Sequence, residues 1–379
     1  MKIKIFLFFI MFLFPFQTYC QETQPVCLLV TQLQEPSVLS SQKEISKLIN
    51  LSKKSGIKVI FMQIYRANKA WFPSKIADAN PYYVCFKNFS GNPFNLLIEQ
   101  AHAKGIKVYA WLNLLSLNNN YNAPILKKYG VGVLTRNLKE KKKVSDYKID
   151  SQYFLEPGDL RVRKELVSVV EEVLQSYPEL DGILFDYIRY PDVHPDYGYT
   201  KINMERFRNR TGLQNIDKDS LAWKNWKRKQ VTELLEILVK KARMIRPGIQ
   251  VGATGCAPYV RAYYEAYQDW PSWIHDNLVD FVFLMSYPNE VQEFNKNIQD
   301  AKKRVGDFKK IYIGVPAYKL VHLVEVFRQE LQAAKASEAG GCGIFHYASL
   351  LENPDFTKIL KESKGVQVSK NRPVNRSDF

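Results

Sequence analysis

Short apolar runs alternate with longer amphipathic ones along almost the whole chain, and this pattern constrains the fold more than any other feature. The apolar runs lie at residues 26–31, 57–64, 106–113, 181–186, 249–254, 279–285, 310–315 and 342–347. Segments with helical spacing follow them, at 41–55, 92–103, 161–176, 221–246, 272–277, 291–305, 320–337 and 351–361. A helix between successive strands returns the chain to the same edge, so the strands run parallel. Eight strand–helix units close most simply into a (β/α)8 TIM barrel, a single α/β domain over residues 25–362. An open doubly wound sheet would leave unprotected edges. It would also call for a glycine-rich phosphate loop after the first strand, and none is there.

The connections are unequal. Those entering strands are tight and glycine-bearing, as at Ser55-Gly56, Lys104-Gly105 and Gly340-Gly341. Those leaving strands are long, as at 65–92, 114–159 and 187–220. Barrel enzymes build their sites from loops at the strand C-termini. The irregular, aromatic-rich material of this chain therefore gathers on one face.

The two ends read differently from the middle. Lys2 and Lys4 precede an apolar run at 5–16, and Gln17-Thr18-Tyr19-Cys20 offers a cleavage site. That run is short of the roughly 20 residues a membrane span needs, so residues 1–20 read as a signal peptide. The expectation is export to the periplasm or beyond, with no stable membrane span once the signal is removed and an uncleaved N-terminal anchor as the alternative. Residues 363–379 read as a polar, disordered tail. Cleavage leaves Cys27, Cys85, Cys256 and Cys342. Cys27 and Cys342 fall near the starts of the first and last strands, which makes either one disulfide or four buried thiols the reading. No cofactor and no metal is expected: the cysteines lack zinc spacing, and the five histidines form no His-x-x-x-His pair. Gly-x-Ser-x-Gly is also missing. The net charge of +16 suits an anionic glycan or an envelope surface. A nucleic-acid partner is not expected, since no such motif is present.

The sharpest segment is Asp181-Gly182-Ile183-Leu184-Phe185-Asp186-Tyr187-Ile188-Arg189-Tyr190-Pro191. An apolar strand ends in a carboxylate flanked by Tyr and Arg. Alternation puts Gly182, Leu184 and Asp186 on one face, which in a barrel can point inward. An acid there loses solvation and must be paired or functional. This segment resembles the motif of the bacterial glycosyl hydrolase-like 10 family. Further similarities follow in order. They include Tyr65-Arg66, Trp71-Phe72-Pro73, Ala101-His102-Ala103-Lys104-Gly105 through Trp111-Leu112-Asn113, and Glu156-Pro157-Gly158 with Val162-Arg163. Trp226-Lys227-Arg228, Val251-Gly252-Ala253-Thr254 and the run from Asp280 to Pro288 complete the set, which covers most of the mature chain. The chain departs from the family pattern in three places. Tyr187 stands where a second acid is frequent, Glu156 replaces an Asn, and Met285-Ser286-Tyr287-Pro288 replaces Pro-Gln-x-Tyr.

The resemblance implies glycoside hydrolysis, which generally uses two carboxyl groups. Asp186 is the expected nucleophile or base. Glu290, Glu156 and Asp192 compete for the second role. The expected substrate-binding residues lie at or beyond strand ends: Tyr65, Arg66, Trp71, Trp111 and Asn113 early in the chain, then Tyr187, Arg189, Tyr287, His346 and Tyr347. Rings stack on sugar faces, while Asn, Arg and His bond hydroxyls. His102 lies on the opposite side and reads as structural. The expected function is hydrolysis of an oligo- or polysaccharide outside the cytoplasm. Two alternatives stand beside it: a non-catalytic glycan-binding barrel, and an envelope accessory protein whose basic surface holds a partner.

Overall fold

A computed structural model of the chain describes residues 24–193 and 195–363. The segment 1–20, expected to be a signal peptide, lies outside the described residues, as does the sequence beyond Ser363. The barrel strands are β1 (Val26–Val30), β2 (Ile57–Arg66), β3 (Lys107–Asn113) and β4 (Gly182–Asp186). They continue as β5 (Gln250–Cys256), β6 (Phe281–Met285), β7 (Ile311–Val315) and β8 (Gly341–Phe345). Each pairs in parallel with its neighbours in chain order. Pairing of β8 with β1 closes the ring. The closed (β/α)8 architecture read from the apolar pattern is the architecture of the chain.

The helices are α1 (Gln42–Ser55), α2 (Pro93–His102), α3 (Leu160–Ser176) and α4 (Leu221–Ile245). They continue as α5 (Trp270–His275), α6 (Val291–Arg304), α7 (Val324–Ala336) and α8 (Pro354–Glu362). Local chemistry sets their ends. The Ser41 side chain accepts from the Glu44 N–H at the start of α1, and Gly56 ends it in the left-handed region at φ 77°. Asn92, Asp159 and Ser220 cap α2, α3 and α4 in the same way. Helix α1 buries Ile45, Leu48, Ile49 and Ser52, one face at helical spacing.

Two apolar layers result. The larger lies between strands and helices. The smaller fills the barrel interior with Cys27, Leu29, Val59, Phe61, Tyr109, Trp111, Leu184, Phe281 and Phe283. These rings fit only because glycines face them: a Cβ on Gly252 would strike Phe281, and one on Gly343 would strike Phe283. Register also resolves the cysteine question. Cys27 pairs opposite Gly343, one step from Cys342. A one-residue offset turns side chains to opposite faces. Cys27 accordingly joins the interior and Cys342 the outer layer, and all four described cysteines are free and buried.

Three features depart from the expected elements. The eighth strand stops at Phe345 instead of running to Tyr347, and the chain turns into a short helix, Tyr347–Glu352. A helix at Lys201–Thr211 and a small sheet pairing Ser116–Asn118 with Tyr153–Phe154 sit within the long loops. Among the described residues, no helix is long and apolar enough to cross a membrane.

Candidate active site

The strands end around a cavity of about 490 Å³ at the C-terminal mouth. Asp186 sits on its wall, only 4% exposed. Three neutral donors hold its carboxylate. The Trp111 Nε1–H donates to Oδ2 at 3.0 Å, and the Thr254 hydroxyl donates to Oδ1 at 2.7 Å. The Tyr187 backbone N–H donates to Oδ1 at 2.7 Å. Tyr187 reaches that geometry in the left-handed region, at φ 55°. Together these bonds fix the Asp186 carboxylate in one orientation at the cavity wall. Beside it, Gln63 donates to the Asn113 side-chain oxygen at 3.1 Å, and the Gln32 side chain donates to the Gln63 carbonyl at 2.8 Å.

Rings form the opposite wall. Tyr287 stacks on Phe345 at 5.3 Å, and Tyr318 meets Phe345 edge-on at the same distance. The Tyr287 hydroxyl is buried and has no hydrogen-bond partner. Burial, reinforced by the negative charge of Asp186, raises its pKa and keeps the phenol protonated.

Two further carboxylates line the cavity, and their surroundings differ. Asp192 is held by Arg189 on one oxygen and Arg261 on the other. Glu293, in the first turn of α6, lines the cavity exposed, with no hydrogen bond or ion pair. The Arg189 guanidinium also lies 4.7 Å over the Tyr187 ring.

Of the residues expected from sequence, Arg66, Trp111, Asn113, Asp186, Tyr187, Arg189 and Tyr287 come together here. Six others do not. Tyr65 points outward into the larger core because an irregularity in β2 between Gln63 and Tyr65 reverses the alternation, which brings Arg66 to the cavity instead. Trp71 follows a hairpin folded back on β2 and packs on the outer layer. Tyr347 is fully buried beneath the helix it begins. His346 stacks beside Tyr318 outside the cavity lining. Glu290 is an exposed residue just ahead of α6 and does not line the cavity. Glu156 is fully buried away from the mouth, accepting from the Tyr190 hydroxyl and the Gly158 N–H. His102 bonds Asp181 at the strand N-termini, a structural contact as expected.

Sequence reading missed Glu293, Gln63, Thr254, Tyr318 and Phe345. Gln63, Thr254 and Phe345 share the inward parity of their strands, and strict alternation from Phe61, Gly252 and Gly343 would have found them. Among the described residues, no group of three or more His, Cys, Asp or Glu side chains is placed to hold a metal ion.

A closed parallel barrel whose loop-side mouth joins carboxylates to a ring-lined wall is of the (β/α)8 barrel class. The chain belongs to the glycosyl hydrolase-like 10 family, whose sequence model matches residues 29–329. It is 23% identical over 267 residues to glycosyl hydrolase DigH of Escherichia coli, across 66% of this chain and 58% of that protein. It is 23% identical over 269 residues to glycosyl hydrolase YngK of Bacillus subtilis, across 66% of this chain and 50% of that one. The chain thus matches little more than half the length of these relatives. Among solved structures, the glycoside hydrolase domain of PgaB (BpsB) from Bordetella bronchiseptica superposes with a TM-score of 0.70 at 16% identity, covering 91% of this chain and 99% of that domain. The catalytic domain of β-amylase from Paenibacillus polymyxa gives 0.56 at 11% identity. At such identities the likeness is one of fold.

Proposed function

We propose that the protein hydrolyses glycosidic bonds of an oligo- or polysaccharide outside the cytoplasm, with Asp186 as the reacting carboxylate. One observation carries this reading: Asp186 is withdrawn from water at the mouth, yet three donors hold its carboxylate beside the open cavity. That is what a nucleophile or a base requires at the anomeric carbon. Trp111 and Thr254 fix its orientation, while Tyr287, Tyr318 and Phe345 offer ring faces to a sugar.

The second carboxyl in this proposal is Glu293. Asp192 is neutralised by two arginines, whereas Glu293 is unpaired. A saccharide lying over Glu293 would strip its water and favour the protonated form, as leaving-group protonation needs. Export is supported by the positively charged, apolar N-terminal segment.

A second reading has one observation on its side: both oxygens of Asp186 and of Asp192 already hold donors. A barrel that only binds glycans would tolerate that saturation. Digestion of a mixed polysaccharide panel by wild type and Asp186→Asn, with binding measured in parallel, separates the two. New reducing ends from wild type alone support hydrolysis. Binding by both proteins without new ends supports the second reading.

A further inference from the structure

The N-terminal rim of the barrel, opposite the mouth, is electrostatically divided. The turn from α1 to β2 carries Lys53, Lys54 and Lys58, and the turn from α2 to β3 carries Lys104 and Lys107, all exposed. The turn from α6 to β7 carries Lys302, Lys303, Lys309 and Lys310, of which only Lys310 is partly covered. The acids within these three turns reduce to Asp307, whose side chain accepts from the Lys309 N–H. Nearby, Asp300 pairs with Arg304, and Glu338 pairs with Lys302 at 3.3 Å. Strand order makes β7, β8, β1, β2 and β3 one continuous arc.

The other arc, β4 to β6, is mixed: its entering turns bring Glu179, Asp181, Asp276 and Asp280 together with Arg243 and Arg246, and Arg243 pairs with Asp280 at 3.2 Å. Asp181 accepts from the Val108 N–H and Asp280 from the Val251 N–H, so these two pin strand starts.

Both chain ends meet the basic arc. Gln24 enters beside α7, donating to the carbonyls of Ala334 and Ala339, and β1 begins at the centre of the arc. At the other end the Ser363 carbonyl accepts from Lys335 at 2.9 Å. The sequence beyond it adds Lys364, Lys370, Arg372 and Arg376 against Asp378 alone.

We propose that the basic arc docks on an anionic phospholipid bilayer, which holds the barrel with its mouth turned away from the lipid. The entering turns are tight, so the lysines end a blunt rim suited to a planar surface. Clustered exposed lysines with few acids between them are the chemistry that anionic headgroups attract, and the attraction falls off within a Debye length. This holds whether or not the mouth cleaves glycans.

The test is vesicle flotation of the full chain with phosphatidylcholine alone and with about one-third phosphatidylglycerol. The expected result is partition at least about tenfold stronger to the anionic vesicles, lost at high salt. Substituting Lys53, Lys54, Lys58, Lys104 and Lys107 by Glu should abolish the difference while the thermal melt is kept. The same change at five lysines exposed between β3 and α3, Lys127, Lys139, Lys142, Lys143 and Lys148, serves as the net-charge control and should leave it in place. Equal partition to both vesicles overturns the proposal. So does an equal loss in both variants, or retention of the protein by a soluble anionic polysaccharide and not by anionic vesicles.

Discussion

The barrel mouth and the pocket behind the loop after β4 each bury one carboxylate and surround it differently. Asp186 lines a cavity about 490 Å³ in volume, and its partners are three neutral donors. Glu156 is sealed. One oxygen takes the Tyr190 hydroxyl and the Gly158 N–H, and the other has no partner. Burial raises its pKa, and burial also lowers that of nearby Lys227 to about 7. That lysine donates to the Pro195 carbonyl at 2.8 Å and lies 3.7 Å over the Tyr267 ring. The sealed acid meets no ligand-sized space and leaves one oxygen unpartnered; the acid at the mouth has donors on both oxygens and open space beside it. Loss of solvent alone therefore does not mark a reacting acid, and what separates the two is access for a ligand together with a full set of positioning donors.

Substitutions on the two sides should fail in different currencies. Glu293→Gln should lower hydrolysis of unactivated glycans by about 10²- to 10⁴-fold. Activity on aryl glycosides with good leaving groups should largely survive, and the alkaline limb of the pH profile should vanish. An equal loss on both substrate types would remove Glu293 from the role of acid. Glu156→Ala should instead cost roughly 1–3 kcal/mol of stability, because the buried Tyr190 hydroxyl and Gly158 N–H lose their acceptor. Its turnover below the melting transition should stay within a few-fold of wild type. Denaturant titration and initial rates on one preparation check both statements.

The same contrast clarifies what could be read without coordinates. The eight strands were legible because apolar runs alternate with amphipathic segments, several of them entered through tight glycine turns such as Gly56 and Gly105. The helix at Lys201–Thr211 was not, since it is largely charged and buries only Asn203 and Phe207. Asp186 stood out as an acid closing an apolar strand. Glu156 looked similar in sequence, because nothing local tells a loop acid at the mouth from one sealed under Tyr190. Tyr65 was misplaced by a single irregularity in β2, which alternation cannot foresee. Glu293 was hidden by its resemblance to an ordinary first-turn helix acid, and only tertiary placement of α6 brings it to the cavity.

Smaller effects sharpen the comparison further. Trp111→Phe removes one donor to Asp186 and should reduce kcat/KM by about tenfold or more, with the fold retained. A change confined to KM would make Trp111 a stacking surface only.

In the sealed pocket the expected effect is one of pH. The folded pKa of Lys227 is depressed below its unfolded value. Between about pH 7 and 10 the unfolded chain still holds a proton that the folded lysine has released, so stability rises with pH there. Below the folded value that contribution is gone, since the buried ammonium must carry its charge. Lys227→Met should flatten this rise in unfolding titrations, and an unchanged slope would show that Lys227 is charged when folded.

The most direct test is kcat/KM on one cleavable glycan for wild type, Asp186→Asn and Glu156→Gln, measured side by side. The account predicts a loss of at least about a thousandfold for Asp186→Asn and a rate within a few-fold of wild type for Glu156→Gln. Comparable losses at both positions, or an active Asp186→Asn protein, would contradict it.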